Sequence, residues 1–125
     1  MPNTPQILVQ RDWQGTTVTL RCAGVVDMLT APDLERQISE ALARNPSAVI
    51  IDLSLVEFIS SRGLWVLLDT YKKCSSTIGF AVVADGPATL RPMKVMGLTD
   101  VFSVRTTLAD ALADFALPES ARGLR

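Results

Sequence analysis

The sequence predicts an α/β domain with a mixed, mostly parallel sheet of about four to five strands and about four helices. Two apolar runs, residues 48–53 (AVIIDL) and 79–84 (GFAVVA), have the pattern of central strands covered on both faces. Segments of helical spacing alternate with them, which implies parallel strands joined by right-handed crossovers. The 125 residues suit one compact domain, and 48% apolar with 20% charged residues is an ordinary globular balance.

Residues 1–6 are polar with two prolines and read as a tail, and residues 7–117 as the folded domain. Residues 7–11 form a first strand and residues 12–15 a turn. Residues 16–22 (TTVTLRC) alternate as a half-buried strand, with Val18, Leu20 and Cys22 on one face and Thr17, Thr19 and Arg21 on the other. Together they read as an antiparallel hairpin. Residues 24–29 link into a first helix capped by Thr30, with Pro32 in its first turn and Asp33 in the capping position. Leu34, Ile38, Ala41 and Leu42 keep helical spacing until Asn45 and Pro46 end it.

The strand at 48–53 is followed by a loop over 54–61. A second helix then runs from about residue 62 to about residue 75, with Leu64, Leu67, Leu68 and Tyr71 as its buried stripe. After the strand at 79–84 and a turn at 85–87, residues 89–96 form a third helix closed by Gly97. Its Met93 and Met96 read as core. Residues 101–104 form a last strand. Thr107 caps a final helix, with Asp110 in the capping position and Leu108, Ala111, Leu112 and Phe115 on its apolar side. Residues 118–125 read as a second tail.

Composition excludes several functions. The net charge of −1 with scattered Lys and Arg offers no basic stripe for nucleic acid or an anionic membrane. The absence of histidine removes Ser-His-Asp and Cys-His catalysis, HExxH metal sites and phosphohistidine relays. Two separated cysteines, Cys22 and Cys74, do not make a zinc site and read as reduced, buried thiols. No Walker or dinucleotide-binding glycine motif occurs, so no cofactor and no metal are expected. No apolar stretch reaches membrane length, and the N-terminus has no basic segment leading into an apolar one, which points to the cytoplasm.

The informative stretch is residues 49–68, VIIDLSLVEFISSRGLWVLL. A buried strand feeds Ser60 and Ser61 into a helix N-terminus, where the first-turn N–H groups lack partners and the dipole adds positive potential. A serine there either caps the helix or, phosphorylated, carries about −1.5 to −2 charge that a complementary surface rejects. Trp65 lies beside the buried stripe and Val66 opposite it, so both are candidates for a partner-binding patch. Asp27, in the link before the first helix, is either a turn aspartate or a neighbour of Ser61 across the strand ends.

The run DLSLVEFISSRGL (residues 52–64) resembles the phosphorylation segment of STAS domains in anti-sigma factor antagonists. Gly24, Asp27 and Leu29 to Ala31 resemble the segment before that family's first helix. RPMKVMGLTDVF (91–102) and TLADAL (107–112) resemble its C-terminal third. The resemblance implies the STAS fold and partner switching. The unphosphorylated antagonist binds an anti-sigma factor, a serine kinase of the histidine-kinase ATPase fold, and so frees a sigma factor. The kinase phosphorylates the antagonist and ejects it, and a PPM-type phosphatase restores it. The family's acceptor lies two residues before the helix glycine, which is Ser61 here, with Ser60 as the second choice. Asp27, Ser60, Ser61, Arg62, Trp65 and Val66 are the expected partner-binding residues. The chain departs from the family pattern at Val25, Ser60 and Arg62. No activity as an enzyme is expected.

Two alternatives stand beside this reading. A STAS module can serve as a scaffold or regulatory subunit, in a stressosome-like assembly or a lipid-transport complex. A receiver-like domain would use Asp52 as a phospho-acceptor, but it also needs an acidic pair for Mg²⁺ and a lysine near the last strand. Here the first strands end in Arg11, Asp12, Cys22 and Ala23, and Arg105 is the nearest base to the last strand.

Overall fold

The computed structural model describes residues 6–74 and 76–116. Strands β1 (Ile7–Gln14) and β2 (Thr17–Val26) lead into helix α1 (Ala31–Leu42) and strand β3 (Ala48–Ile59). Helix α2 (Ser61–Cys74), strand β4 (Gly79–Val83) and helix α3 (Leu90–Val95) follow. A 3₁₀ turn at Leu98–Asp100, strand β5 (Ser103–Arg105) and helix α4 (Leu108–Phe115) complete the fold. The expected tails, 1–6 and 118–125, lie outside the described residues except for Gln6, as does residue 75. The Gln6 carbonyl accepts the Val25 N–H at 3.0 Å.

The sheet has the order β1-β2-β3-β4-β5, with β1 antiparallel to β2 and every other pair parallel. Each crossover advances one strand in the same direction, so right-handed connections put the intervening helices on one face. Leu34, Leu67 and Met93 from α1, α2 and α3 accordingly share one core with Leu20, Ile51 and Val82 of the sheet. Tyr71, Phe80 and Phe102 close its far side, with ring centroids 5.3 to 6.1 Å apart. Helix α4 covers the opposite face, packing Ala111 against Ile50, Ala81 and Val83. Its cap is as expected: Asp110 N–H donates to Thr107 Oγ1 at 3.1 Å. Gly97, at φ 76°, supplies the left-handed residue that ends α3.

Several sequence expectations are corrected. The hairpin turn is only Gly15 and Thr16, so β1 continues through residues expected to turn. Thr30 makes no side-chain cap. Its Oγ1 accepts the Asp27 N–H at 2.9 Å and donates to the Val25 carbonyl at 2.8 Å, tying the link back to β2. The last strand begins at Ser103, because residues 98–100 wind into the 3₁₀ turn.

The largest correction concerns residues 54–59, expected as a loop and found as the second half of β3. The ladder to β2 runs Arg21 with Asp52, Ala23 with Leu55, Gly24 with Val56, then Val25 with Phe58. Between the first two pairs β3 advances by one residue more than β2, and again between the last two. Both extra residues therefore bulge from β3 and break its alternation. At the first bulge the buried Asp52 carboxylate accepts from Ser54 N–H at 3.0 Å and Ser54 Oγ–H at 2.7 Å. Gly24 is required on the opposite strand. Its φ is 107°, and a Cβ there would collide with the Gln6 carbonyl oxygen.

Cys22 and Cys74 are free and buried. Burial, assisted by the Asp52 carboxylate, pushes the Cys22 thiol up from 9.0 to about 12. Burial alone pushes Cys74 up to about 11. Neither thiol should react with a disulfide reagent at about pH 8 until the chain unfolds. The folded state holds protons that the unfolded thiols release, so this stabilisation is complete below about pH 9 and disappears as pH rises through the folded values. Urea midpoints should fall above about pH 9, and Cys22→Ala should reduce that fall. Rapid native-state labelling, or a midpoint flat in pH, would contradict this.

Candidate functional site

The junction of β3 and α2 decides where each serine points. The Ser60 N–H donates to the Val26 carbonyl at 2.8 Å, extending the β2–β3 ladder by one bond. The Ser60 carbonyl accepts from Leu64 N–H at 3.0 Å, and Ser60 Oγ accepts from Gly63 N–H at 3.3 Å. Ser60 is thus the N-cap of α2, with its hydroxyl engaged. Ser61 is the first helical residue, is exposed, and its hydroxyl has no partner among the described residues. The cap function that the sequence leaves open between the two serines falls to Ser60.

Gly63 brings α2 this close. A Cβ at Gly63 would lie 2.6 Å from Ile59 Cγ1, 2.7 Å from Val26 Cγ1 and 3.1 Å from the Val26 carbonyl oxygen. With only hydrogen there, the first turn rests directly on the ends of β2 and β3, and residues 61 and 62 are turned outward.

Helix α2 buries Gly63, Leu64, Val66, Leu67, Thr70 and Cys74. Leu68 and Tyr71, expected in the stripe, are only half-buried at its margin. Val66, expected opposite the stripe and in the partner patch, is 1% exposed and belongs to the core. The helix rolls toward its Gly63 side because only that side fits against the strand ends. Trp65 stands 49% exposed. Arg62 Nη2 donates to Glu35 Oε1 of α1 at 3.0 Å, and the guanidinium lies over the Trp65 ring at 5.0 Å from its centroid. Arg62 is therefore held by an acid and an aromatic face, pointing toward α1.

Ser61 stands between two shallow grooves. One, of about 430 Å³, is lined by Ile59, Ser61, Leu64, Pro87, Arg91, Pro92, Val95 and Met96. The other, of about 500 Å³, includes Ser61, Arg62, Trp65, Leu68 and Met96. Val95 is 78% and Met96 60% exposed. Met96 thus corrects the core assignment, while Met93 is fully buried. Helix α3 turns Met93 inward with Leu90 packed beside it against the core, while Met96, at the C-cap, faces out. Consecutive Val95 and Met96 just before Gly97 were the available sign that apolar side chains must face out there.

Asp27 acts as a turn aspartate. Its Oδ1 accepts from Leu29 N–H at 2.9 Å and Thr30 N–H at 3.1 Å. It follows Val26 as Ser60 follows Ile59, and those two residues are paired, so the β2–α1 link and the serines share one end of the sheet. Met28 and Leu29 on that link are about as exposed as Val95, and Phe58 of β3 is also exposed. None of these was among the expected partner-binding residues. Asp52, by contrast, lies within β3, with its side chain 5% exposed and 3.9 Å from Arg21 Nε. That is a structural carboxylate at a bulge, closed to an incoming phosphoryl donor. Among the described residues there is no cluster of metal-ligating side chains, and no helix is long and apolar enough to cross a membrane.

The family model for the STAS domain matches residues 9–111. The anti-sigma-F factor antagonist RsfB of Mycobacterium tuberculosis is 46% identical over 101 residues, 81% of this chain and 82% of that protein. The crystal structure of an anti-sigma factor antagonist from Mycobacterium paratuberculosis superposes with a TM-score of 0.85 at 42% identity, covering 87% of this chain and 93% of that one. The unphosphorylated form of the anti-sigma factor antagonist SpoIIAA has the same fold, with a TM-score of 0.69 at 18% identity over 93% of this chain and 97% of that one.

The division of labour between the serines has a measurable consequence. Ser60→Ala removes the cap and should lower unfolding free energy by about 1 kcal/mol in urea titration. Ser61→Ala removes an unpartnered hydroxyl and should change it by less than about 0.5 kcal/mol. The reverse ranking would reassign the cap.

Proposed function

The chain belongs to the STAS domain family, and from that premise we propose that it acts as an anti-sigma factor antagonist, switched by phosphorylation of Ser61. The observation that carries this reading is the Ser61 hydroxyl itself. It is exposed, excluded from the cap by Ser60, and set between two grooves walled by exposed apolar side chains. In its neutral form, Ser61 allows a partner to cover Trp65, Val95 and Met96, and burial of such apolar and aromatic groups drives association.

The partner is an anti-sigma factor that is also a serine kinase of the histidine-kinase ATPase fold. It binds the unphosphorylated surface and releases its sigma factor. It then transfers the γ-phosphoryl group of ATP to Ser61 Oγ: the new O–P bond forms as the bond to the departing ADP breaks, and the hydroxyl proton passes to a base of the kinase. The dianion now sits where the partner must exclude water. Burying a doubly charged group costs more than the apolar contacts return, so the partner leaves. The antagonist itself tolerates the phosphate, because the α2 N-terminus presents unpaired N–H groups and positive potential to it. The switch therefore acts on binding and leaves folding intact. A PPM-type phosphatase hydrolyses the ester and resets the surface. The chain contributes no catalytic group of its own, and Asp27, Arg62 and Trp65 frame the contact.

Incubation with the cognate kinase and ATP should add one phosphate, mapped to Ser61 by mass spectrometry of peptides. Ser61→Ala should remove the label and retain kinase binding. Ser61→Asp should weaken binding only partly, since aspartate carries about half the charge of a phosphoserine. Labelling of Ser61→Ala equal to wild type would move the acceptor elsewhere, with Ser60 the next residue to test.

A further inference from the structure

The groove shared by α2 and α3 has one hydroxyl and one charge. Among its eight lining residues Ser61 supplies the hydroxyl and Arg91 the charge, and all the others are apolar or proline. Arg91 is exposed, and no acidic side chain pairs with it among the described residues. The neighbouring candidate is differently placed. Arg62 follows Ser61 by one residue, so it projects about 100° around the helix from it. It is already engaged by Glu35 at 3.0 Å and stacked on Trp65 at 5.0 Å. Moving Arg62 onto a phosphate would break both contacts, whereas Arg91 has no ion pair to give up.

Resting on the assignment of Ser61 as the modified residue, we infer that Arg91 is the intramolecular anchor of the Ser61 phosphate. Its guanidinium swings along the groove to pair with the phosphate oxygens, a geometry that suits its planar fork. The consequence is a two-part switch. The unmodified protein offers a partner an open apolar groove and a free cation at its wall. The phosphorylated protein closes that cation onto its own phosphate, so one modification both adds a dianion and removes Arg91 from intermolecular contact. Helix α3 thereby becomes part of the regulatory surface, though it carries no modified residue.

The test places phosphoserine at position 61 by genetic encoding in the full chain, which makes it independent of any kinase. Phosphorus NMR then follows the second ionisation of the phosphate, ordinarily near pH 6. A neighbouring guanidinium favours the dianion, so the midpoint in the wild-type background should lie lower by about half a pH unit, a threefold change in the ionisation constant. Arg91→Gln should return it toward the ordinary value, Arg91→Lys should keep most of the shift, and Arg62→Gln should leave it in place. An unchanged midpoint in Arg91→Gln, or a loss of the shift in Arg62→Gln instead, would overturn the inference. Failure of kinase labelling at Ser61 is a separate outcome and would overturn the functional reading, not this geometry.

Discussion

The first turn of α2 rests on the ends of β2 and β3 with only a hydrogen atom between Gly63 and the side chains of Val26 and Ile59. From that contact the rest of the site follows. It brings Ser60 within reach of both the Val26 carbonyl and the Gly63 N–H, so Ser60 becomes the last ladder residue and the helix cap together. It turns Val66 into the core and Trp65 out of it. It leaves Ser61 at the first helical position with its hydroxyl facing solvent. A larger residue at position 63 would lift the helix start, and the orientation of both serines would change with it.

The site is built on rigid elements. The paired bulges of β3 carry the strand past the point where its apolar run ends, and Asp52 with Ser54 satisfies the backbone at the first of them. Thr30 and Asp27 lock the β2–α1 link by mutual side-chain to backbone bonds. The exposed apolar residues at this end, from Met28 to Met96, are therefore held on a fixed frame. A surface of this kind meets a partner with little ordering cost, and a local charge can then control affinity without a backbone rearrangement.

Much of this was legible in the residues. Continuous apolar runs marked β3 and β4, Gly97 and Thr107 marked helix ends, and the alternation of elements fixed the parallel layer. The placement of Ser61 at a helix entry was legible too, from the run that resembles the family's segment. What was not legible arises from contacts between distant residues. Residues 54–59 looked like a loop because two bulges destroy the alternation that identifies a strand, and the partner strand supplies the pairing that local pattern lacks. Val66 moved into the core and Leu68 to its margin because helical spacing alone does not say which side of α2 meets the strand ends. Met96 looked like core because methionine usually is, but it caps the end of α3, where the chain turns at Gly97, and faces out. Thr30 had the sequence of a cap, yet the adjacent strand end and Asp27 offered its hydroxyl better partners.

The central claim concerns charge at one exposed oxygen beside an apolar surface. Calorimetric titration of the anti-sigma factor partner against the unmodified chain and the chain carrying phosphoserine at position 61 measures it directly. A loss of affinity of about two orders of magnitude, roughly 2.7 kcal/mol, with no fall in the unfolding temperature of the chain is expected. Equal affinities for the two forms would contradict it.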